Sequence, residues 1–357
     1  MSDKTPLAEL HQLTTQKEIP VCYRAISDIQ AKPIHWLWKG RIARGKVSMI
    51  AGNPGLGKSQ ITASMAAIVT NGARWPVDHS LCEEGQVVFL SAEDDPADTI
   101  RPRLEATGAI LEKVFIVDAI KDIDSEGQVI KRGFNLKTDL IRLAYLMDEL
   151  NEVALLIIDP ITAYLGGTDS HKNADIRALL SPLGDFASRY DVAVVCVSHL
   201  NKGGSADALM RVSGSLAFVA AARAAFLVAD DPKNDRRVFL PMKNNIGNDA
   251  SGLAFEVASY NLPGGIETSC IEGHNEAVDI TASEVLAHDG AHNSAQEDAK
   301  DFLQDELSAG PVLAKELQEK ARDVGLSWRT VERAKAALPI KSEKGFDKKW
   351  RWSLPNV

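Results

Sequence analysis

The most informative stretch of the chain is Met49-Ile50-Ala51-Gly52-Asn53-Pro54-Gly55-Leu56-Gly57-Lys58-Ser59, an apolar strand that leads into a glycine-rich loop. Its last part matches the phosphate-loop pattern G-x-x-x-x-G-K-[ST]. Glycines let successive backbone N–H groups face one anionic centre, Lys58 can reach the terminal phosphates, and Ser59 can ligate Mg²⁺. The stretch therefore predicts a site for a nucleoside triphosphate and Mg²⁺. The predicted binding residues are Gly52, Asn53, Pro54, Gly55, Leu56, Gly57, Lys58, Ser59 and Gln60.

Composition excludes several classes of protein. At 357 residues and 45% hydrophobic content, the chain is long enough for two domains or for one large domain with an appendage. Its four cysteines are far apart and form no C-x-x-C pair, which argues against a zinc site or a disulfide framework. No secretory signal follows Met1, and the longest apolar stretch, 216–229, is shorter than the roughly 20 residues that span a bilayer. We expect a soluble cytoplasmic protein with no membrane partner.

Charge is distributed unevenly along the chain. Residues 311–357 contain eleven Lys and Arg against six acids, a net charge of +5, while the whole chain carries −9. The remaining residues therefore carry −14. A basic appendage on an acidic body favours contact between that appendage and nucleic acid, although solvated surface lysines are the simpler explanation.

Apolar runs typical of strands alternate with helical patterns between residues 46 and 230. This alternation predicts an α/β fold with a mainly parallel, twisted sheet that is covered by helices on both faces. The predicted parallel strands are 47–51, 86–90, 114–117, 154–158, 192–197 and 224–229, and an antiparallel extension follows at 237–242, 253–259 and 268–271. The predicted divisions are an N-terminal segment (1–30), a core domain (31–274), a linker (275–295) and a C-terminal domain (296–357).

Two acidic residues at strand ends are candidates for hydrolytic chemistry. Asp159 ends an apolar strand on the phosphate side of the sheet, where it can hold Mg²⁺ through water. Pro160 follows it, so the base that activates the attacking water has to come from elsewhere. Glu93 follows the second strand and would lie beside the phosphate loop if that strand neighbours the first. The alternative is an acidic helix N-terminus, which explains Asp94 and Asp95 better than Glu93.

With these motifs, the chain resembles the RecA-like P-loop ATPases, and among them the hexameric replicative helicases of the plasmid RepA and bacterial DnaB kind. Those proteins share the phosphate loop, a glutamate closing the second strand, an aspartate without an adjacent glutamate, and a polar residue closing the fourth strand. The last of these matches His199, which the resemblance makes the sensor of the γ-phosphate. The resemblance covers about residues 31–274. It implies a homo-hexameric ring that hydrolyses ATP with Mg²⁺ between its subunits.

The resemblance also points to a DNA-binding loop. The glycine-rich segment 200–214 lies where RecA-like motors hold single-stranded DNA in a central channel. Lys202 and Arg211 can contact the sugar-phosphate chain there without reading bases. The segment has no aromatic residue on which bases could stack, so a plain flexible loop is the alternative.

Two further basic residues resemble groups that complete the site of a neighbouring subunit. Arg223 resembles the trans-acting arginine of the RepA type in its position. Lys243 resembles the first residue of the K-x-R-x-G element of the DnaB type, whose arginine is replaced here by Asn245. We therefore expect Arg223 to act in trans and Lys243 to be a second phosphate contact. A structural ion pair is the alternative for either residue.

The C-terminal domain has the pattern of a winged helix-turn-helix. Amphipathic stretches at 296–307 and 312–324 precede a helix that begins after the N-cap Ser327, and 340–354 contains two short strands. Such domains bind duplex DNA or dock on proteins, and both remain open. The candidate DNA contacts are Arg329, Arg333 and Lys335 on the second helix of the motif and Lys344, Lys348, Lys349 and Arg351 on the wing.

These features together predict an ATP-driven DNA helicase or translocase. The resemblance places it in the replication of a plasmid, phage or other mobile element, where it would work with a replication initiator or a primase. The alternative is a regulatory or recombination-mediator ATPase that binds DNA under ATP control without unwinding it. A kinase uses the same phosphate loop, but the sequence has no motif for a substrate hydroxyl pocket.

Overall fold

The computed structural model describes residues 23–123, 126–167, 173–200, 216–247, 251–292, 295–308, 310–344 and 349–354. The chain forms two compact units, with the boundary between Ile34 and His35. In the first unit, the described residues 23–34 contain a short 3-10 turn at Ile26–Asp28. All strands and α-helices named below belong to the second unit.

Strands and helices alternate along the second unit. Its strands are β1 (Trp36–Trp38), β2 (Ile42–Ala43), β3 (Val47–Gly52), β4 (Gln86–Ser91), β5 (Val114–Ile116), β6 (Ile120–Ile123), β7 (Val129–Arg132), β8 (Val153–Asp159), β9 (Ala193–His199), β10 (Ala224–Asp230), β11 (Arg237–Asn244), β12 (Gly252–Leu262), β13 (Ile266–Val278), β14 (Val312–Leu313), β15 (Lys341–Lys344) and β16 (Trp350–Ser353). Its helices are α1 (Lys58–Asn71), α2 (Arg101–Ala106), α3 (Leu140–Leu150), α4 (Asn173–Tyr190), α5 (Leu216–Ala221), α6 (Ala282–His292), α7 (Ala295–Leu307), α8 (Ala314–Asp323) and α9 (Trp328–Ala337).

One large sheet forms the centre of the fold. Over the described residues it has nine strands in the order β13-β12-β11-β10-β3-β9-β8-β4-β5. The strands from β10 to β5 run parallel, and β11, β12 and β13 extend the sheet as antiparallel neighbours. The predicted α/β class with a mainly parallel sheet is therefore confirmed, as is its antiparallel extension.

Helices cover both faces of the sheet, and the sequence of β3 shows why. Met49 and Ala51 belong to the hydrophobic cluster that contains residues of α3, α4 and α6, while Ile50 belongs to the cluster that contains residues of α1 and α2. Successive side chains of a strand point to opposite faces, so a strand covered on both sides has to be apolar throughout. That requirement accounts for the continuous apolar runs in β3, β8 and β9.

The order of the strands differs from one expectation. The strand β4 that precedes Glu93 does not neighbour β3, because β8 and β9 lie between them. The proposed reason for Glu93 to lie beside the phosphate loop is therefore wrong. Strand adjacency follows from how the crossovers pack, which local sequence patterns do not record.

The segment predicted as a linker, 275–295, also differs from the expectation. The strand β13 continues to Val278, and α6 packs against β10 and β11 with Val285 and Leu286 fully buried. Thr281 and Glu284 form a capping box in which each side chain accepts a hydrogen bond from the other residue's backbone N–H, at 3.2 and 2.8 Å respectively. The segment is mostly polar, so its short apolar face, which packs on the sheet, was not recognised from the sequence.

A charged cluster fixes the hairpin β6–β7, which the sequence patterns did not predict. The side chain of Asp139 is 0% exposed and accepts hydrogen bonds from both Arg132 and Arg142. Its neighbouring guanidinium groups hold the pKa of Asp139 at about 2. Because this carboxylate is buried and paired, it joins the hairpin to the start of α3.

The C-terminal part of the second unit has a hydrophobic core of its own. The helices α7, α8 and α9 contribute to a buried cluster that includes Trp352, and β14, β16 and β15 form a small antiparallel sheet in that order. Ser327 caps α9 by accepting a hydrogen bond from the backbone N–H of Thr330 at 3.3 Å, as predicted. Among the helices that the structure describes, none has the length and apolarity needed to cross a membrane.

Candidate nucleotide-binding site

The phosphate loop joins β3 to α1, and close packing of backbones fixes its start. A Cβ placed on Gly52 would lie 2.4 Å from the carbonyl oxygen of Val228 on β10, so any side chain there would collide with backbone. At the other end of the loop, Gly57 forms the N-cap of α1 with φ +88°, a conformation that favours glycine. The two glycines therefore have different roles, one in strand packing and one in the turn into the helix.

Lys58 is held in position by the loop itself. Its side chain is buried, and its ammonium donates hydrogen bonds to the carbonyl oxygens of Gly52 at 3.0 Å and Asn53 at 2.9 Å. Burial lowers the pKa of Lys58, while Asp159 and Glu93 oppose that effect. The result is a desolvated cation held at the glycine-rich loop, which suits the β- and γ-phosphates of a nucleotide.

Ser59 and Asp159 meet at the position expected for a metal ion. The hydroxyl of Ser59 donates a hydrogen bond to Asp159 at 2.8 Å. In the parts of the chain that the structure describes, no three His, Cys, Asp or Glu residues form a metal cluster. Mg²⁺ in such sites uses one or two protein oxygens together with phosphate oxygens and waters, so this pair fits the ion. When bound, Mg²⁺ would supply charge neutralisation at the terminal phosphates.

Pairing between the ends of β4 and β8 brings Glu93 to the cleft. Ser91 lies opposite Asp159 in the parallel pair of β4 and β8, and the N–H of Ala92 donates to the carbonyl oxygen of Asp159 at 3.1 Å. The chain then turns so that Glu93, with a side chain 59% exposed, lines the cleft beside Lys58. A carboxylate placed here can orient an attacking water and accept its proton.

His199 is positioned between the phosphate loop and Glu93. It ends β9 directly beside Gly52, and its Nε2 lies 3.6 Å from Oε1 of Glu93. Its Nδ1 is buried and has no hydrogen-bond partner in the described part of the protein. Buried polar atoms are nearly always satisfied, so an unpaired ring nitrogen here fits a residue that contacts a ligand or water when the site is filled.

The acids after Glu93 have separate structural roles. Asp95 caps the π-helical turn Pro96–Ile100 by accepting hydrogen bonds from the N–H groups of Ala97 and Asp98. Asp94 pairs with Arg103 of α2 at 2.5 Å, and both residues line the cleft. The helix-start interpretation is therefore correct for Asp95, whereas Asp94 is held by an arginine that sequence patterns did not identify.

The cleft has a second wall that the sequence analysis missed. The amide nitrogen of Gln60 donates to the hydroxyl of Ser269 on β13 at 2.5 Å, and Arg237 of β11 and Val257 of β12 lie against the loop. The resulting cleft has a volume of about 350 Å³. No local motif marks these residues, because only the antiparallel extension of the sheet brings them to the phosphate loop.

Some of the remaining residues of the phosphate loop line the cleft, and the others support the loop from behind. Pro54 and Gly55 line the cleft together with Gly57, Lys58, Ser59 and Gln60. Leu56 instead packs against the hydrophobic cluster beneath α1. Gly52 and Asn53 contribute through their carbonyl oxygens to Lys58, and they do not line the cleft.

The two candidate trans-acting residues lie at the opposite edge of the sheet from the phosphate loop. Arg223 is exposed and directly precedes β10, whose Ala224 pairs with Ser48 near the start of β3. The ammonium of Lys243 donates to the carbonyl oxygens of Val219 at 2.8 Å and Ala222 at 2.9 Å, at the end of α5. Lys243 therefore stabilises a helix C-terminus here, which is a structural role.

The candidate nucleic-acid contacts are only partly described. Arg329 and Arg333 are exposed on α9, and Lys349 is exposed next to β16. Lys335 is committed to an aromatic contact instead, with its Nζ 4.1 Å from the ring centroid of Trp352, and burial lowers its pKa. Lys202, Arg211 and Lys348 lie outside the described residues.

Comparison with known proteins identifies the domain that contains this cleft. The model of a family described as an AAA domain matches residues 17–205, which is more than half of the chain. The matched range includes the phosphate loop, Glu93, Asp159 and His199, and it ends before Arg223, Arg237 and Lys243. No curated protein gives a significant match to the chain.

We predict that Glu93→Gln keeps nucleotide affinity and lowers the turnover number for ATP by about 10²–10⁴-fold, because the amide can hold water but cannot accept its proton. Equilibrium binding of a fluorescent nucleotide and steady-state phosphate release measure the two effects. Asp95→Asn is the matched control, since asparagine caps a helix as well as aspartate does. Unchanged turnover in Glu93→Gln would remove Glu93 as the base.

A second prediction concerns the stability of the nucleotide-free protein. Burial is the largest cause that raises the pKa of Asp159, with the charges of Asp94 and Glu93 adding to it. The ionised carboxylate therefore destabilises the fold at a pH above this raised value and has no such effect below its ordinary pKa of about 3.9. Asp159→Asn should raise the free energy of unfolding at about pH 8, with the gain disappearing near pH 3.

Denaturant unfolding across this pH range tests the prediction, with the exposed Asp118 changed to Asn as the control. A loss of stability in Asp159→Asn at every pH would mean that attraction to Lys58 and the hydrogen bond from Ser59 outweigh the burial of the carboxylate.

Proposed function

The chain belongs to the AAA domain family, and on that premise we propose that it is an ATP-driven DNA helicase or translocase that works as a ring, in the RepA-like branch of the RecA-like motors. Membership supports ATPase activity in general. The finer proposal concerns what the hydrolysis drives and how subunits share a site.

The observation that carries the proposal is the separation of the hydrolytic groups from Arg223. Lys58, Ser59, Glu93, Asp159 and His199 line or border one cleft at the end of the parallel strands. Arg223 precedes the residue that pairs with Ser48, whereas Gly52 pairs with Val228. Arg223 is thus five strand residues away from Val228, which pairs with Gly52 at the start of the phosphate loop, and this corresponds to about 16 Å along the strand.

An exposed arginine at that distance cannot serve the cleft of its own chain. It is available to the cleft of a neighbouring copy, where it would stabilise charge that develops on the γ-phosphate. This is the arrangement expected of a ring, and a homo-hexamer is the assembly that the resemblance implies. Lys243 lies on the same edge, and its bonds to α5 make it a support for that edge.

The C-terminal domain supports action on DNA. Its elements follow the order helix, strand, helix, helix and two-stranded hairpin, which is the order of a winged helix-turn-helix. Arg329 and Arg333 are exposed on the second helix of the motif, and residues 311–357 around them carry a net charge of +5. The contacts of single-stranded DNA with Lys202 and Arg211 remain a prediction from the sequence.

Replication of a plasmid, phage or other mobile element is the biological setting that the resemblance favours. A replication initiator or a primase would then be the partner protein. ATP and Mg²⁺ are the cofactors that the cleft fits, and the donor set of Ser59 and Asp159 is the observation that supports the metal ion.

The C-terminal domain also favours a second candidate function. It has its own hydrophobic core around Trp352, and Arg329 and Arg333 are exposed on its surface. A protein of this kind can bind duplex DNA under ATP control without unwinding it, as a regulatory or recombination-mediator ATPase does. The two functions differ in whether hydrolysis is continuous and coupled to strand separation.

We predict that single-stranded DNA stimulates steady-state ATP hydrolysis several-fold and that the protein separates a forked duplex in an ATP-dependent reaction. Lys58→Ala is the blank for both assays, because it removes the cation that binds the terminal phosphates. Slow hydrolysis that single-stranded DNA does not stimulate, without strand separation, would contradict the motor and favour the ATP-controlled switch.

A further inference from the structure

Arg237 lies against the phosphate loop without any assigned role. It begins β11, opposite Phe255 of β12, and its side chain lines the nucleotide cleft. An ideal Cβ on Gly57 would lie 3.3 Å from one guanidinium nitrogen of Arg237, so the two groups are in near contact. Arg237 lies outside the residues that the family model matches.

Among the residues that the structure describes, none is a counter-ion for Arg237, and its guanidinium makes no hydrogen bond, ion pair or ring contact with any of them. The neighbouring Arg236 differs in this respect, because it pairs with Asp231 at 2.8 Å. Removing a cation from water without a partner is unfavourable, and a partly buried arginine normally pairs with an anion. The anion that this cleft is built to accept is the phosphate chain of a nucleotide.

The fold also tells which part of the nucleotide Arg237 meets. Asp159 ends β8 and Glu93 follows β4, and both strands lie on one side of β3 in the sheet. Arg237 and Ser269 belong to β11 and β13, which lie on the other side of β3. The candidate groups for hydrolysis of the γ-phosphate therefore occupy one flank of the loop, so a nucleotide whose γ-phosphate meets them would place its remaining part on the opposite flank.

The antiparallel extension is joined to this flank by several contacts. Gln60 of α1 donates its hydrogen bond to Ser269, and Val257 would lie 3.1 Å from a Cβ on Gly57. Both β12 and β13 also pack against α2. Arg237 therefore lies on a strand of the packed antiparallel extension and not on a free loop, so its charge is in place before a nucleotide binds.

We propose that Arg237 is a nucleotide-binding residue supplied by the same chain, and that it holds the nucleoside diphosphate part of ATP. A contact of this kind is made equally in the substrate and in the transition state. It strengthens binding of ATP and ADP alike and leaves the chemical step unchanged.

The test compares Arg237→Met and Arg237→Gln with the wild-type protein. Both variants keep an unbranched side chain to pack on the loop and remove the charge. We expect the dissociation constants of ADP and of a non-hydrolysable ATP analogue, each measured with Mg²⁺, to rise together by about tenfold or more. In steady state, KM for ATP should rise while kcat stays the same.

The matched control is Arg101→Ala, which removes an arginine whose side chain is 68% exposed on α2 and which, within the described part of the chain, forms an ion pair with Glu105 alone. It should change both dissociation constants by less than about twofold. Thermal unfolding of each variant checks that the fold is intact, and either neutral variant is sufficient if the other does not fold.

Unchanged affinity for both nucleotides in the neutral variants would overturn the proposal. Loss of affinity for the ATP analogue alone would also overturn it, because Arg237 would then meet the γ-phosphate. The proposal rests on nucleotide binding at the phosphate loop and not on strand separation. Since binding is measured without DNA, failure of the motor and failure of this contact are separate results.

Discussion

The site depends on the fit of Gly52 between two neighbouring strands. Its backbone passes so close to the carbonyl of Val228 that no side chain is accommodated. This packing places the start of the phosphate loop at the end of β3, where its carbonyl oxygens hold the ammonium of Lys58. The same strand level contains His199, which lies directly beside Gly52 on β9. The close packing of Gly52 against Val228 therefore helps to position both Lys58 and His199.

The topology of the sheet arranges the other groups around that point. Asp159 and Glu93 come from strands on one side of β3, and Arg237 comes from the antiparallel extension on the other. Parallel strands end at a common edge, so side chains distant in sequence converge there. The edge opposite the loop carries the exposed Arg223. In our account the cleft of one chain is thus incomplete until a second chain supplies this arginine.

Sequence patterns predicted the parts of this arrangement that have a local cause. The phosphate loop, the buried strands and the acid ending β8 each follow from residue type and spacing. Glu93 was expected at the cleft because β4 was assumed to neighbour β3, which is wrong. Two other strands separate β4 from β3, and the pairing of Ser91 with Asp159 brings Glu93 to the cleft instead. Arg103 and Arg237 were missed because helix packing and sheet pairing bring them to the loop. The helix α6 was missed although Thr281 and Glu284 carry the capping-box pattern, because the surrounding composition is polar.

The central claim is that each cleft hydrolyses ATP with an arginine from the neighbouring chain, and mixing two inactive variants tests it most directly. Arg223→Ala keeps an intact phosphate loop, and Lys58→Ala keeps an intact Arg223. In an equal mixture, some interfaces combine the intact loop of one variant with the intact arginine of the other. Our account predicts that the mixture hydrolyses ATP faster than the sum of the two variants alone. Activity no greater than that sum, or full activity of Arg223→Ala by itself, would contradict it.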